Sequence, residues 1–248
     1  ILGRHKLDDV NGQYPDRTEG ERFNNTFTKA KMKVRTLPKD KNGEVKFHMY
    51  NSDGFWLTHW NLNVLWGLAW PEMLDEFAAC LVQYAQNGGE IPRGPSGGGY
   101  SYIMTSCPGS NILVAAYQKN MMTKTSPNAA FKAMQRSHRP GGMIGPEEEI
   151  NFYIQNGYYP GNAGITLEAS FQDWSLAQMA LRMGKKKEAG YYLKRSSGWT
   201  KLFRPEFGLI FPKDAGGNWL HDNPLSNLGW VEANAWQGTW SLSHAIPE

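Results

Sequence analysis

The sequence predicts an all-α fold, a toroid of helical hairpins or an irregular bundle, on three observations. Amphipathic segments follow one another as consecutive helical hairpins, strand–helix–strand alternation is lacking, and no motif recurs at a fixed sequence period. Long loops and a short N-terminal hairpin complete the expected outline.

Residues 1 to about 47 are polar and turn-rich. Asp9-Val10-Asn11-Gly12-Gln13-Tyr14 reads as a turn. Asp40-Lys41-Asn42-Gly43-Glu44 holds the Asn-Gly pair that favours a tight hairpin, here between Lys33-Val34-Arg35 and Val45-Lys46-Phe47. From Asn51 the character changes: Phe55, Trp56, Trp60, Trp66 and Trp70 crowd a window that Pro71 interrupts, and a helix over 72–86 stops at Asn87-Gly88-Gly89. The glycine-rich stretch 88–99 is a strap. It is not a phosphate cradle, because no Gly-Lys-Ser/Thr follows Gly97-Gly98-Gly99 and no β-branched strand precedes it.

Further helices are expected over 111–124 with Ser110 as N-cap, over 128–137, and from Pro146 to about 155 with Glu147-Glu148-Glu149 in the first turn. The clearest helix spans 165–183, where Leu167, Phe171, Trp174, Ala177 and Leu181 share one face and Gly184 stops it. Its partner, 186–203, follows a short turn and should lie antiparallel to it. Residues 205–219 read as a long loop with a short extended pair. A last helix over 230–244 would place Glu232, Trp236, Trp240 and His244 on one stripe.

That stripe carries the functional reading. A sugar pocket needs a carboxylate able to donate a proton and flat apolar walls for the C–H faces of a pyranose. The structural alternative is a half-buried helix whose indoles pack inward. Ten tryptophans and eleven tyrosines favour carbohydrate over nucleotide handling. A net charge of +3, with no basic block beyond Lys185-Lys186-Lys187, argues against nucleic acid. No apolar run is long enough to span a membrane and no signal-peptide pattern is present. The start, Ile1-Leu2-Gly3-Arg4, lacks an initiator Met, so a trimmed or partial chain is expected. Cys80 and Cys107 are one disulfide or two buried thiols. No Asp-x-Asp-x-Asp-Gly loop occurs, so no metal site is expected within these residues.

In order along the chain, several pieces resemble glycoside hydrolase family 92, the calcium-dependent, inverting, exo-acting α-mannosidases. They are Asp9-Val10-Asn11-Gly12-Gln13-Tyr14, Ile91-Pro92, Met104, Ile112-Leu113-Val114-Ala115-Ala116-Tyr117-Gln118-Lys119, Thr166-Leu167-Glu168 with Asp173-Trp174, Arg195-Ser196, and Glu232-Ala233-Asn234-Ala235-Trp236-Gln237 with His244. The resemblance implies an (α/α)6 toroid of which this chain supplies part, with residues 1–50 as an N-terminal loop and hairpin segment and 51–248 as the helical-hairpin portion. It also implies an N-terminal β-sandwich and further barrel helices in a longer protein, and a secreted or periplasmic location. An incomplete ring would expose apolar surface between its helices.

Glu232 matches the family's general acid. Trp56, His59, Trp60, Asn61, Trp230, Trp236 and His244 are the implied substrate-binding residues, and Asp173 and Glu168 are the remaining acids in matched segments. Trp56-Leu57-Thr58-His59-Trp60-Asn61 stands where family members carry a Trp-Asp-Thr-Phe-Arg-like motif, Ser106-Cys107-Pro108 replaces Gly-Asp-His, and Ala245 replaces an Asp. The general base and the calcium ligands are expected beyond Glu248. Two alternatives accompany this reading: a noncatalytic glycan-binding protein that has lost the base, and a purely structural helical domain.

Overall fold

The computed structural model describes residues 5–19, 32–52 and 54–245. The chain's first four residues, on which the expected trimmed start rests, lie outside them. The all-α class holds, because helices carry the chain and the strands form three short antiparallel pairs among the described residues. Two compact units divide the chain, Ile1–Ser137 and His138–Glu248.

In the first unit, β1 (Gln13–Asp16) pairs antiparallel with β2 (Lys33–Thr36), so that Gln13 faces Thr36 and Asp16 faces Lys33. This corrects the expected hairpin. The Asn-Gly turn forms, with Gly43 N–H donating to Asp40 O at 3.1 Å, but beyond it only Lys39 bridges Val45. Lys33-Val34-Arg35 pairs instead with the earlier strand, where the Arg35 Nε–H donates to the buried Asp16 Oδ2 at 2.5 Å. The predicted turn at Asp9 is present as well, its carboxylate accepting from the N–H groups of Asn11 and Gln13.

A single 3-10 turn (Thr58–Trp60) leads into α1 (Leu62–Ala69) and then α2 (Pro71–Gly88). Pro71 opens α2 rather than breaking a helix, because the first helical position has no use for its missing N–H. Gly89, at φ 93, ends it. The strap that follows folds back as β3 (Pro95–Ser96) against β4 (Gly99–Tyr100). Gly98 has φ +84, its carbonyl accepts from Arg17 N–H, and a Cβ there would stand 2.1 Å from Pro15 O. Gly98→Ala therefore adds left-handed strain to a backbone clash and should cost at least about 1–3 kcal/mol in urea unfolding.

α3 runs Gly109–Gln118 and α4 Pro127–Ser137. The expected extension of α3 to residue 124 is absent, and Ser110 lies inside the helix instead of capping it. Asn120 adopts φ 59, while Met121 N–H reaches Ala116 O and Asn120 N–H reaches Tyr117 O, which is a Schellman stop with Asn in place of Gly. Cys80 and Cys107 are free buried thiols, and burial pushes each up to about 12, so both stay protonated and inert.

In the second unit, α5 spans Glu147–Asn156, α6 Ala163–Arg182 and α7 Lys186–Ser196. α6 starts where the Asn162 side chain accepts from Ile165 N–H, and Gly184 closes it with the same pair of backbone bonds seen after α3. α7 stops short of the expected 203 and continues as a 3-10 turn, Gly198–Leu202. There Gly198 abuts Gly157 so tightly that a Cβ would lie 2.1 Å from Gly157 O. Next come β5 (Phe203–Arg204) and β6 (Leu209–Ile210), the short extended pair of the long loop. Leu167, Leu202, Ile210, Phe211, Trp230 and Ala235 share one core cluster behind them.

The helix expected over 230–244 does not form. Only α8 (Ala235–Gly238) and a 3-10 turn (Thr239–Ser241) are helical. The Asn234 side chain accepts from Gln237 N–H and so caps the helix after Glu232 rather than before it. The single-face stripe of Glu232, Trp236, Trp240 and His244 is thereby lost.

Candidate functional site

Backbone strain marks the candidate positions. Among the described residues, the non-glycine side chains on left-handed backbone are Leu57 (φ 63), Met104 (φ 65), Ser106 (φ 56), Asn120 and Glu232 (φ 52). Asn120 is accounted for by the end of α3. Such residues persist only where their surroundings hold them, and they gather at binding and catalytic sites.

Leu57 and Met104 both line a cavity of about 720 Å³ in the first unit. One wall comes from the turn before α1, with Trp56, Leu57, Thr58 and Asn61; another comes from the end of the strap, with Ser101, Ile103 and Met104. No charged side chain lines it among the described residues. Trp56 Nε1 and Thr58 Oγ1 are buried and find no hydrogen-bond partner among the described residues. Of the four residues predicted here from the sequence, Trp56 and Asn61 reach the cavity wall. His59 and Trp60 do not: both ring nitrogens of His59 are buried, and Trp60 is half exposed with its ring 5.5 Å from that of His59.

In the second unit, Glu232 is exposed on a turn pinned at both sides. Trp230 anchors the near side: it is 9% exposed and belongs to the core, and its indole lies against Gly238, where a Cβ would meet the ring at 2.1 Å. Trp230 therefore packs in the core, with its Nε1 buried and without a hydrogen-bond partner among the described residues. The Asn234 cap fixes the far side. Trp236 and Trp240 are 58% and 62% exposed. Trp240 lines a second cavity of about 420 Å³ with Trp199, Phe203, Ile210 and Leu242. His244 stacks with Phe171 and Trp174 of α6, ring centroids 5.9 and 5.7 Å away.

The two further acids are buried on α6. Asp173 accepts from Arg195 Nε at 2.8 Å and from Tyr153 OH at 3.1 Å and pairs with His138 Nδ1 at 3.1 Å, so both of its oxygens are committed. Glu168 accepts from Gln172 Nε2 at 3.1 Å. Leu57, Thr58 and Met104 stood in the sequence only within family-matching segments, not as site residues, and Ile103 was not singled out, because aliphatic and hydroxyl side chains announce no site. Arg93, a lone cation inside the glycine strap, was the available signal.

The family model for the glycosyl hydrolase family 92 catalytic domain matches residues 2–248. The chain belongs to glycosyl hydrolase family 92. No curated protein matches it. Among solved structures, it is similar to a family GH92 inverting mannosidase from Bacteroides thetaiotaomicron VPI-5482, with TM-score 0.71 and 25% identity over 79% of this chain and 28% of that one. It is also similar to a family GH92 α-mannosidase from Bacteroides thetaiotaomicron, with TM-score 0.78 and 20% identity over 96% of this chain and 30% of that one. The latter enzyme in complex with mannoimidazole aligns at TM-score 0.72 and 19% identity, over 89% of this chain and 27% of that one. The chain thus spans about three-tenths of the length of the solved structures it matches.

In this family 92 chain, the described residues contain no group of three or more His, Cys, Asp or Glu side chains placed to hold a metal ion. No catalytic step is routed through calcium. His59 has a separate consequence. Burial pulls its imidazole down from an ordinary 6.5 to about 4. The unfolded ring takes up a proton below 6.5 and the folded one does so only near 4, so its contribution is complete above 6.5 and disappears as the pH falls through that window. A tenfold change in proton affinity is worth roughly 1.4 kcal/mol, which puts the loss at about 3 kcal/mol. Urea unfolding at pH 7 and pH 4 measures it, and His59→Phe should flatten that part of the profile.

Proposed function

We propose that this chain is part of an exo-acting, inverting, α-mannosidase-like glycosidase, that Glu232 is its general acid, and that a terminal sugar of a glycan is its substrate. Glu232 carries the reading: an exposed carboxylate on strained left-handed backbone, within a segment that matches the family. In an inverting reaction one carboxylic acid protonates the leaving oxygen, and a second carboxylate about 6.5–9.5 Å away activates water. The described acids of the matched segments offer no such partner, since Asp173 is fully committed and Glu168 is buried against Gln172. The base, together with the calcium ligands, is assigned to residues outside this chain, as the family resemblance implies.

The cavity of Trp56, Leu57, Thr58 and Asn61 suits a neutral saccharide. Its Asn61, Ser96 and Ser101 side chains offer polar groups to sugar hydroxyls, and its aliphatic wall serves the C–H faces. Val64, Leu65 and Leu68 of α1 lie exposed, with Leu68 at 80%, as does Trp70 just after it, and this surface suits the further barrel helices of a longer chain. The boundary at residue 50, the accompanying β-sandwich and a secreted or periplasmic location belong to the same proposal. No described helix is long and apolar enough to cross a membrane.

The test is hydrolysis of α-mannosides by the full-length protein with calcium present, following the first product by NMR. Inversion releases β-mannose. A second reading, a noncatalytic glycan binder, draws on the commitment of Asp173. It predicts saccharide binding that survives Glu232→Gln and no hydrolysis by the full-length protein.

A further inference from the structure

Met104 and Ser106 need an explanation for their left-handed backbone, and Arg93 supplies one. Its side chain is buried. Nε–H donates to Ser106 O at 2.7 Å, while NH1 donates to Met104 O at 2.7 Å and to Tyr102 O at 3.2 Å. In an extended strand the carbonyls of residues 102 and 106 would stand about 13 Å apart, beyond the span of one guanidinium. The left-handed turns at 104 and 106 curl the chain so that all three carbonyls face the same fork. The backbone of Arg93 reaches the opposite wall, because its carbonyl accepts from Phe55 N–H at 3.0 Å, and Phe55 O in turn accepts from Thr58 N–H at 3.1 Å. One residue therefore ties the 55–58 turn to the 102–106 turn, and both carry lining residues of the 720 Å³ cavity.

We propose that Arg93 is a positioning residue. It touches no ligand itself but holds Ile103 and Met104 where they complete the cavity wall, and so sets the cavity's affinity for a neutral saccharide. This rests on reading the cavity as a sugar site. The rigid, planar fork is essential to the role, because an ammonium on a flexible stem cannot present fixed donors to three carbonyls at once.

The experiment compares wild type, Arg93→Lys and Arg93→Met by amide exchange of residues 101–107 and by calorimetric titration with methyl α-mannoside. In Arg93→Met, exchange at 101–107 should rise at least tenfold while α6 and α7 stay protected, and the Kd should weaken at least tenfold. Arg93→Lys should remain folded and fall between the two on both readouts. Wild-type exchange and affinity in Arg93→Lys would overturn the role of the fork even if Arg93→Met does not fold. Increased exchange with unchanged affinity would show that the wall does not govern binding. If wild type fails to bind the mannoside, the saccharide reading fails, and the exchange measurement alone decides whether Arg93 holds the wall.

Discussion

Asp173→Asn is expected to lower the unfolding free energy by about 3–5 kcal/mol, the usual cost of removing one partner from a buried ion pair. Asp173 is 0% exposed at the centre of a network that ties α6 to α7 and to the start of the second unit. Arg195 Nε donates to it at 2.8 Å, and the same guanidinium donates to His138 O at 3.1 Å and lies 5.4–5.6 Å from the ring centroids of Tyr153, Tyr191 and Tyr192. Burial works against the Arg195 charge, yet Asp173 and the tyrosines outweigh it and leave its pKa raised. Without the carboxylate, a buried cation loses its counter-charge. Arg195→Met alone should be similarly harmful, whereas Asp173→Asn with Arg195→Met should cost clearly less than the sum, because no charge is then left unpaired. Urea unfolding of the three variants measures both the size and the coupling.

The second large effect falls on activity rather than stability. Glu232→Gln is expected to reduce kcat on an α-linked mannose disaccharide by about 10²- to 10⁴-fold, the range lost with a positioned proton donor. Its thermal midpoint should stay close to wild type, since Glu232 is exposed and the turn around it is held by Trp230 packing and the Asn234 cap. A fall in stability that matched the fall in activity would point to a structural role for the carboxylate.

The hairpin of α6 and α7 was legible because its determinants are local. A long helical run, a glycine stop and a short turn leave few alternatives, although the expected apolar face is not the buried one: Phe171 and Trp174 are part-buried and Leu181 is 48% exposed, whereas Gln172, Asp173 and Leu176 are buried. The start of α2 at Pro71 and its end at Gly89 follow the same logic. Where the reading failed, a second local signal was overlooked or a distant contact decided. Asn120 and Asn234 each carried one, the first as a left-handed helix stop and the second, three residues before Gln237, as a cap. The partner of Lys33-Val34-Arg35 was set from a distance by Asp16, and the break after α7 by Gly157 pressing on Gly198. The candidate acid was legible as a residue and its setting was not. Glu232 was expected on a helix face and stands instead on a strained turn, a conformation that no propensity of glutamate suggests. Leu57, Met104 and Ser106 were hidden for the same reason, because tertiary packing imposes their backbone.

Delivery of a proton from Glu232 to the leaving oxygen shows itself in how the loss depends on the leaving group. A general acid matters for a sugar alcohol, which leaves poorly without a proton, and little for 2,4-dinitrophenolate, which leaves readily as an anion. With calcium present and the full-length protein, Glu232→Gln should lose about 10²- to 10⁴-fold on the disaccharide and less than about tenfold on 2,4-dinitrophenyl α-mannoside. Equal losses on the two substrates would rule out Glu232 as the proton donor and place the general acid elsewhere.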